Sequence, residues 1–345
     1  MVSKEEYVKY VEKLLNDDKN KQDMKCLTSG YRIISVLMIV LGVICFCLSI
    51  FLLPTIGDLF IGMRALYIGL TVSVLFIVFG VIRCNNYKRV LNHYRDNYRE
   101  KIIGYLMQGY SFYFESEGWI SSSMFEMSQF SKETDCFYSS DVLAIDIPEE
   151  DGSKPRADIY IGDVDAYDVS IDEEGNRTTH DVYKGMFGYA QFPYKFKCVL
   201  TINSKYKKRG LKLEKVILEE MEFNEIFDVE TDNQIEARYI LTPDMMEKLK
   251  YLQSKIPNVQ ILFLNNYFFI GAEDVNMFEL QKFKNNDEVE VFENLYDEID
   301  MILKIVEEMK NNDKVFVTQK KTRKRKSKKN IAIEDNNREE ETADE

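Results

Sequence analysis

The chain has 345 residues and a formal net charge of −13. That length leaves room for a membrane segment and one or two folded domains, and the acidic balance gives nucleic acid no broad basic surface on the main body. Its six cysteines form no C-x-x-C pair, which excludes a zinc ribbon or a thioredoxin-type motif and suits reduced thiols in a cytosolic domain.

Ser3 followed by Glu6 has capping-box spacing, and Tyr7, Val8, Val11, Leu14 and Leu15 recur on one face. The first element, within residues 1–31, is therefore an amphipathic helix. It either lies on the anionic inner leaflet or packs against the soluble domain.

Residues 32–83 follow as a transmembrane hairpin. Ile33–Leu53 and Ala65–Ile82 carry no charge, and a bilayer core about 30 Å thick needs roughly 20 apolar residues in a helix. Pro54–Arg64 is the turn between them. Ser35, Gly42 and Ser49 share one helical face, and Gly69, Ser73 and Gly80 share another. Small residues let backbones approach closely, so these faces pack against each other or make a homo-oligomer contact. The spans hold no Asp, Glu, Lys, Arg or His, which argues against a channel or transporter. Lys4, Lys9, Lys13, Lys19, Lys21, Lys25 and Arg32 precede the hairpin and Arg83, Lys88, Arg89, Arg95, Arg99 and Lys101 follow it, whereas the turn has Arg64 alone. The positive-inside rule places both termini in the cytoplasm, in a cell-membrane protein of two spans. The charged Met1–Tyr10 has no apolar signal core.

Tyr87, Leu91, Tyr94, Tyr98, Ile102 and Leu106 step by three or four, so residues 84–108 form a stalk helix. A cytoplasmic α+β domain spans 109–311. Ser111–Glu115, Asp141–Ile147, Tyr167–Ile171 and Phe196–Ile202 are short aromatic or β-branched runs with turn residues around them. They predict an antiparallel sheet, with turns at Asp151-Gly152 and Glu173–Asn176. Glu219–Phe227 reads as a short helix, and Thr242 with Pro243 opens another. Gln260–Leu264 and Tyr267–Gly271 flank Asn265-Asn266 as a hairpin. Phe292, Leu295, Ile299, Ile302, Val306 and Met309 define a last helix ending near Asn311.

The tail, 312–345, is disordered in character, basic and then acidic. Lys320, Lys321, Arg323, Lys324, Arg325, Lys326, Lys328 and Lys329 crowd one stretch, ahead of the acidic Glu334–Glu345. Anionic lipid, RNA or the acidic neighbour are its possible ligands, and lipid suits a domain tethered beside a bilayer.

Catalytic chemistry is not written in this chain. His93 and His180 are the two histidines and neither has partners at a triad or metal spacing. Glycine phosphate loops, G-x-S-x-G and H-E-x-x-H are absent, so no catalytic residue, metal or cofactor is expected. Asp163, Asp165 and Asp168 depart from a calcium loop at Tyr167 and Asp168, and read as a solvated strand edge. Glu236 and Arg238, two apart before a capped helix, sit on one side of an extended segment. They form an ion pair or capping contacts there, or Arg238 holds an anion near the helix N-terminus, with Tyr239 beside it.

Three segments, Tyr183–Phe192 (YKGMFGYAQF), Phe223–Val229 and Glu236–Pro243, resemble bacterial membrane proteins grouped as domain of unknown function 3137. The resemblance extends over about Gly30 to Leu280. It implies paired N-terminal membrane helices and a cytoplasmic α/β region, and no established activity. This chain has Ser139-Ser140-Asp141 where that family often carries a Gly-Glu-Asp-like turn. The expected role is a membrane-anchored interaction or regulatory module, a scaffold with a protein partner. The alternative is an enzyme or ligand sensor acting near the membrane.

Overall fold

The computed structural model describes residues 1–17, 31–51, 59–93, 99–147, 157–172, 175–203, 210–278 and 288–317. Its architecture is mixed α+β around an antiparallel sheet of nine strands. The strands are β1 (Ser111–Glu117), β2 (Cys136–Ile147), β3 (Ala157–Ile171), β4 (Arg177–Gln191), β5 (Leu200–Ile202), β6 (Glu214–Lys215), β7 (Val229–Thr231), β8 (Gln260–Leu264) and β9 (Tyr267–Glu273). Their order is β1-β2-β3-β4-β9-β8-β5-β7-β6. The helices are α1 (Lys4–Leu15), α2 (Tyr31–Phe51), α3 (Leu59–His93), α4 (Glu100–Leu106), α5 (Ser122–Ser128), α6 (Met221–Ile226), α7 (Gln234–Ile240), α8 (Pro243–Lys255) and α9 (Glu288–Asn311).

Alternation of side chains along each strand divides the core in two. Ile159, Ile161, Met186, Phe268 and Ile270 join Leu249, Ile299 and Ile302 of α8 and α9 in the larger cluster. Val142, Val164, Phe187, Leu262 and Phe269 form the smaller one with Phe125 of α5. Phe125 meets Phe187 edge-on at 5.1 Å, the arrangement ring quadrupoles favour.

The first helix packs on the domain. Ser3 caps it, Tyr7 and Val11 are buried, and the Tyr10 ring stacks on Tyr105 at 3.9 Å. Lys4 pairs with Asp297 of α9 at 2.8 Å, and the Tyr296 hydroxyl donates to the Val2 carbonyl. Its apolar face thus meets α4 and α9.

Helices α2 and α3 run antiparallel, with Gly42 against Ser73 and Ile77 and with Gly80 against Ser35 and Ile39. The helix α3 begins at Leu59, inside the expected turn, because Leu59–Met63 is apolar and free of helix-breaking proline. Tyr67–Val90, with mean hydropathy 2.1, is long and apolar enough to cross a membrane, and Ile33–Leu48 is a shorter apolar helix.

The two ends of the expected stalk are described. Residues 84–93 are the end of α3, residues 94–98 lie outside the described residues, and α4 places Ile102, Ile103 and Leu106 in the core. Ile102 and Leu106 of the expected apolar stripe belong to the face by which α4 joins the domain. The expected strand Phe196–Ile202 is also shorter. Only Leu200–Ile202 is laddered, while Phe196 makes one bridge to Phe316 and packs its ring 5.0 Å away. Of the hairpin pair Asn265-Asn266, Asn265 alone takes positive φ. The tail from residue 318 and the Asp151-Gly152 turn lie outside the described residues.

Candidate functional site

Segment Glu236–Pro243 is a helix, a corner and a second helix. Asn233 accepts from the Ile235 and Glu236 amides to start α7, and Thr242 accepts from the Met245 amide to start α8, with Pro243 at the first helical position. The extended reading of Glu236 and Arg238 is corrected by this geometry. Two residues on a helix are about 200° apart, so the two side chains diverge. Glu236 faces Lys197 at 3.6 Å. Arg238 donates from Nη1 to the Gln234 carbonyl at 2.8 Å and from Nη2 to the Ile217 carbonyl at 3.3 Å. Tyr239 is half-exposed, and its carbonyl accepts from Asn312 Nδ2. A capped asparagine start accounts for the helix that alternation at positions 236 and 238 obscured.

Between α8 and α9 lies an open depression of about 500 Å³, lined by Lys248, Lys304, Glu307, Glu308, Asn311 and Asn312. Its charges are paired with one another or with neighbours. Lys248 bridges Asp244 and Glu308, Thr242 Oγ1 donates to Glu308, and Lys304 pairs with Asp300. Burial pulls the Lys248 ammonium down, and its bonds to Asp244 and Glu308 more than reverse this. Tyr110 is raised by burial and by its bond to Glu307. Groups held in such pairs brace two helices.

The aspartates expected on a solvated strand edge have separate tasks. Asp163 is buried, not solvated, and accepts from the Met277 amide at 3.0 Å. A carboxylate that meets a backbone donor can be buried where a free one could not. Asp165 pairs with Lys184 at 3.0 Å, and Asp168 accepts from the Asp135 amide. His180, on β4, shares a hydrogen bond with Ser170. Among the described residues, no three His, Cys, Asp or Glu side chains group as a metal site.

One relationship was hidden in the sequence. Arg99, just before α4, meets Asp141 at 2.6 Å, with side chains 6% and 10% exposed. The Arg99 guanidinium lies 5.0 Å from the Phe114 ring centre. Asp141 has φ 55°, in the left-handed region, where the register of β2 against β3 shifts between Ser140 and Leu143. Arg99 read as one more flanking cation, and an aspartate in a run of strand formers was the available signal.

In the α2–α3 pair, Ser73 Oγ donates to the Gly42 carbonyl at 3.0 Å, and Ser35 and Ser73 are fully buried. A Cβ on Gly42 would stand 2.7 Å from Ile77 Cγ1, and one on Gly80 2.6 Å from Ile39 Cγ1. Gly69 is half-buried on α3, and Ser49 lies on α2. Outward from this seam, Leu37, Leu48, Ile68, Leu75 and Phe79 are exposed. Lys320, Lys321, Arg323, Lys324, Arg325, Lys326, Lys328 and Lys329 lie outside the described residues.

No curated protein matches the chain. The crystal structure of the mycobacterial trehalose monomycolate transport factor A, TtfA, is similar over 64% of this chain and 96% of that chain, with 11% identity and a TM-score of 0.34. Residues 181–311, which contain YKGMFGYAQF and Glu236–Pro243, match the family described as "Protein of unknown function (DUF3137)".

Proposed function

We propose that the chain is a membrane-anchored interaction module, with α2 and α3 as two spans, both termini in the cytoplasm, and a protein partner for the α+β domain. The observation that carries this is the two-sidedness of the α2–α3 pair. Its inner seam is glycine and serine in backbone contact, and its outer surface is Leu, Ile, Val and Phe left exposed. Water penalises such a surface and lipid does not. Orientation rests on the basic flanks described above.

The interaction role draws support from the placement of the chemistry-bearing residues. Asp163, Asp165 and His180 sit on β3 and β4, while Arg238 lies beside the segment after β6, with four strands between β4 and β6 in the sheet. A catalytic centre needs such groups to converge.

The anchor is tested by carbonate extraction of membranes and the orientation by a membrane-impermeant maleimide on Asp58→Cys and Asn337→Cys chains. The reading expects retention in the pellet and labelling of position 58 alone in intact cells. Release by carbonate, or labelling at 337, overturns it. Crosslinking in intact membranes tests the partner: adducts between residues 181–317 and a second protein are expected, and self-adducts alone count against a scaffold.

A further inference from the structure

We infer that the basic segment Lys320–Lys329 docks on the chain's own acidic and apolar face at the β6–α7 end of the sheet. Three observations converge there, and none depends on the membrane placement. The first is an exposed apolar patch. Gln234 Nε2 donates to the Lys215 carbonyl and Arg238 to that of Ile217, which lays α7 along the segment after β6. Ile217 is 72% exposed, Ile235 69% and Tyr239 43%. Among the described residues β6 ends the sheet, with no strand on its outer backbone edge.

The second is charge. Between residues 214 and 236, Glu214, Glu219, Glu220, Glu222, Glu225, Asp228, Glu230, Asp232 and Glu236 stand against Lys215 alone. Lys215 engages Asp228, Lys250 engages Glu220 and Glu222, and Lys197 engages Glu236. Glu214, Glu219 and Glu225 are exposed and outside these pairs. Exposed apolar side chains within so acidic a stretch suit a basic segment that carries apolar side chains, and the carboxylates repel an anionic bilayer.

The third is where the described chain ends. Lys197 donates its amide to Val315, Val317 donates to Lys195, and Asn312 holds the Tyr239 carbonyl. The last described residue, Val317, therefore lies close to the Lys197–Glu236 pair of α7. Lys320 follows three residues later, roughly 10 Å of extended chain. A tether that short gives an effective concentration in the millimolar range. Ile331 and Ile333, just beyond the basic block, supply apolar side chains for the patch.

To test this, Ser327 of the full chain is replaced by p-benzoyl-phenylalanine, and the protein is irradiated in neutral detergent at low salt. Monomeric adducts mapping to residues 214–239 are expected. They should fall at least fivefold at high salt and in a Glu214→Gln/Glu219→Gln/Glu225→Gln chain, whose exposed substitutions leave the fold intact. Adducts confined to residues 334–345, to a second copy or to detergent overturn the inference. So do adducts that pass to lipid while 214–239 stays unlabelled when phosphatidylglycerol is supplied from the start.

Discussion

Arg99 and Asp141 form an ion pair at 2.6 Å that solvent barely reaches, and it joins the residue before α4 to the irregular point of β2. Breaking a buried pair leaves one charge without its partner, which costs about 3–5 kcal/mol, whereas removing both charges costs far less. Arg99→Met and Asp141→Asn are each expected to destabilise the domain by about that amount, and the double variant by clearly less. Denaturant unfolding of the four proteins measures the coupling, and additive losses would show that the pair does not act as a unit.

The α2–α3 seam makes a second expectation. A side chain on Gly80 meets Ile39 Cγ1, the Ser35 carbonyl and the Ile39 amide within 3.2 Å, two of them backbone atoms that cannot swing aside. Gly80→Val should separate the helices and lower the thermal midpoint in detergent. Ser73→Ala removes one hydrogen bond, worth about 0.6 kcal/mol between membrane helices. Equal effects of the two would refute the close-contact account.

Docking of α1 depends on pH through Asp297. Burial raises this carboxyl, but its bonds to Lys4, Lys255 and Tyr251 more than reverse the effect and hold it below the ordinary range. A folded-state pKa below the unfolded value of about 3.9 stabilises at neutral pH, and the contribution is lost as pH falls through the folded value. Protection of residues 4–15 from hydrogen exchange, taken relative to the intrinsic rate at each pH, should decrease below about pH 4. Asp297→Asn should lower it at pH 7, where a loss of about 1–3 kcal/mol is expected for a charged hydrogen bond.

Cys198 is buried, and burial first, with Asp232 and Glu236 adding to it, pushes its thiol up to about 11 against the lowering bond from Thr231. The thiolate is the reactive form. Iodoacetamide at pH 7.5 should leave Cys198 unmodified in the folded chain and alkylate it in urea, as peptide mass mapping would read. Rapid native modification would contradict the burial.

Much of this fold was legible because several elements carry their own punctuation. Thr242-Pro243 opens α8, Asn265-Asn266 turns β8 into β9, and the 3.6-residue period of Phe292 to Met309 marks α9. The long strands β3 and β4 were harder. Asp158, Asp163, Asp165 and Asp168 interrupt the apolar run of β3, and Gly185 and Gly188 thin out β4. Those glycines answer to neighbours remote in sequence: a Cβ on Gly185 would fall on the Ala272 carbonyl of β9. The Arg99–Asp141 pair was invisible for the same reason, since its partners meet only after β1 has paired with β2. The residues around Glu236 were misjudged because a spacing of two means one face in a strand and nearly opposite faces in a helix.

The position of α1 has a consequence for how the molecule stands. Lys4 on Asp297, Tyr7 near Tyr296 and Tyr10 on Tyr105 make the first helix part of the same body as α4 and α9. The α2–α3 hairpin is therefore an insertion within the domain, entered from α1 and left at Arg99, and the body is discontinuous along the chain. On the membrane reading two covalent connections, through residues 18–30 and 94–98, tie the domain to the spans, and a second tether restricts the swivelling that a single one allows. A protease cut between residues 18 and 30 would leave α1 seated and change the stance, not the fold.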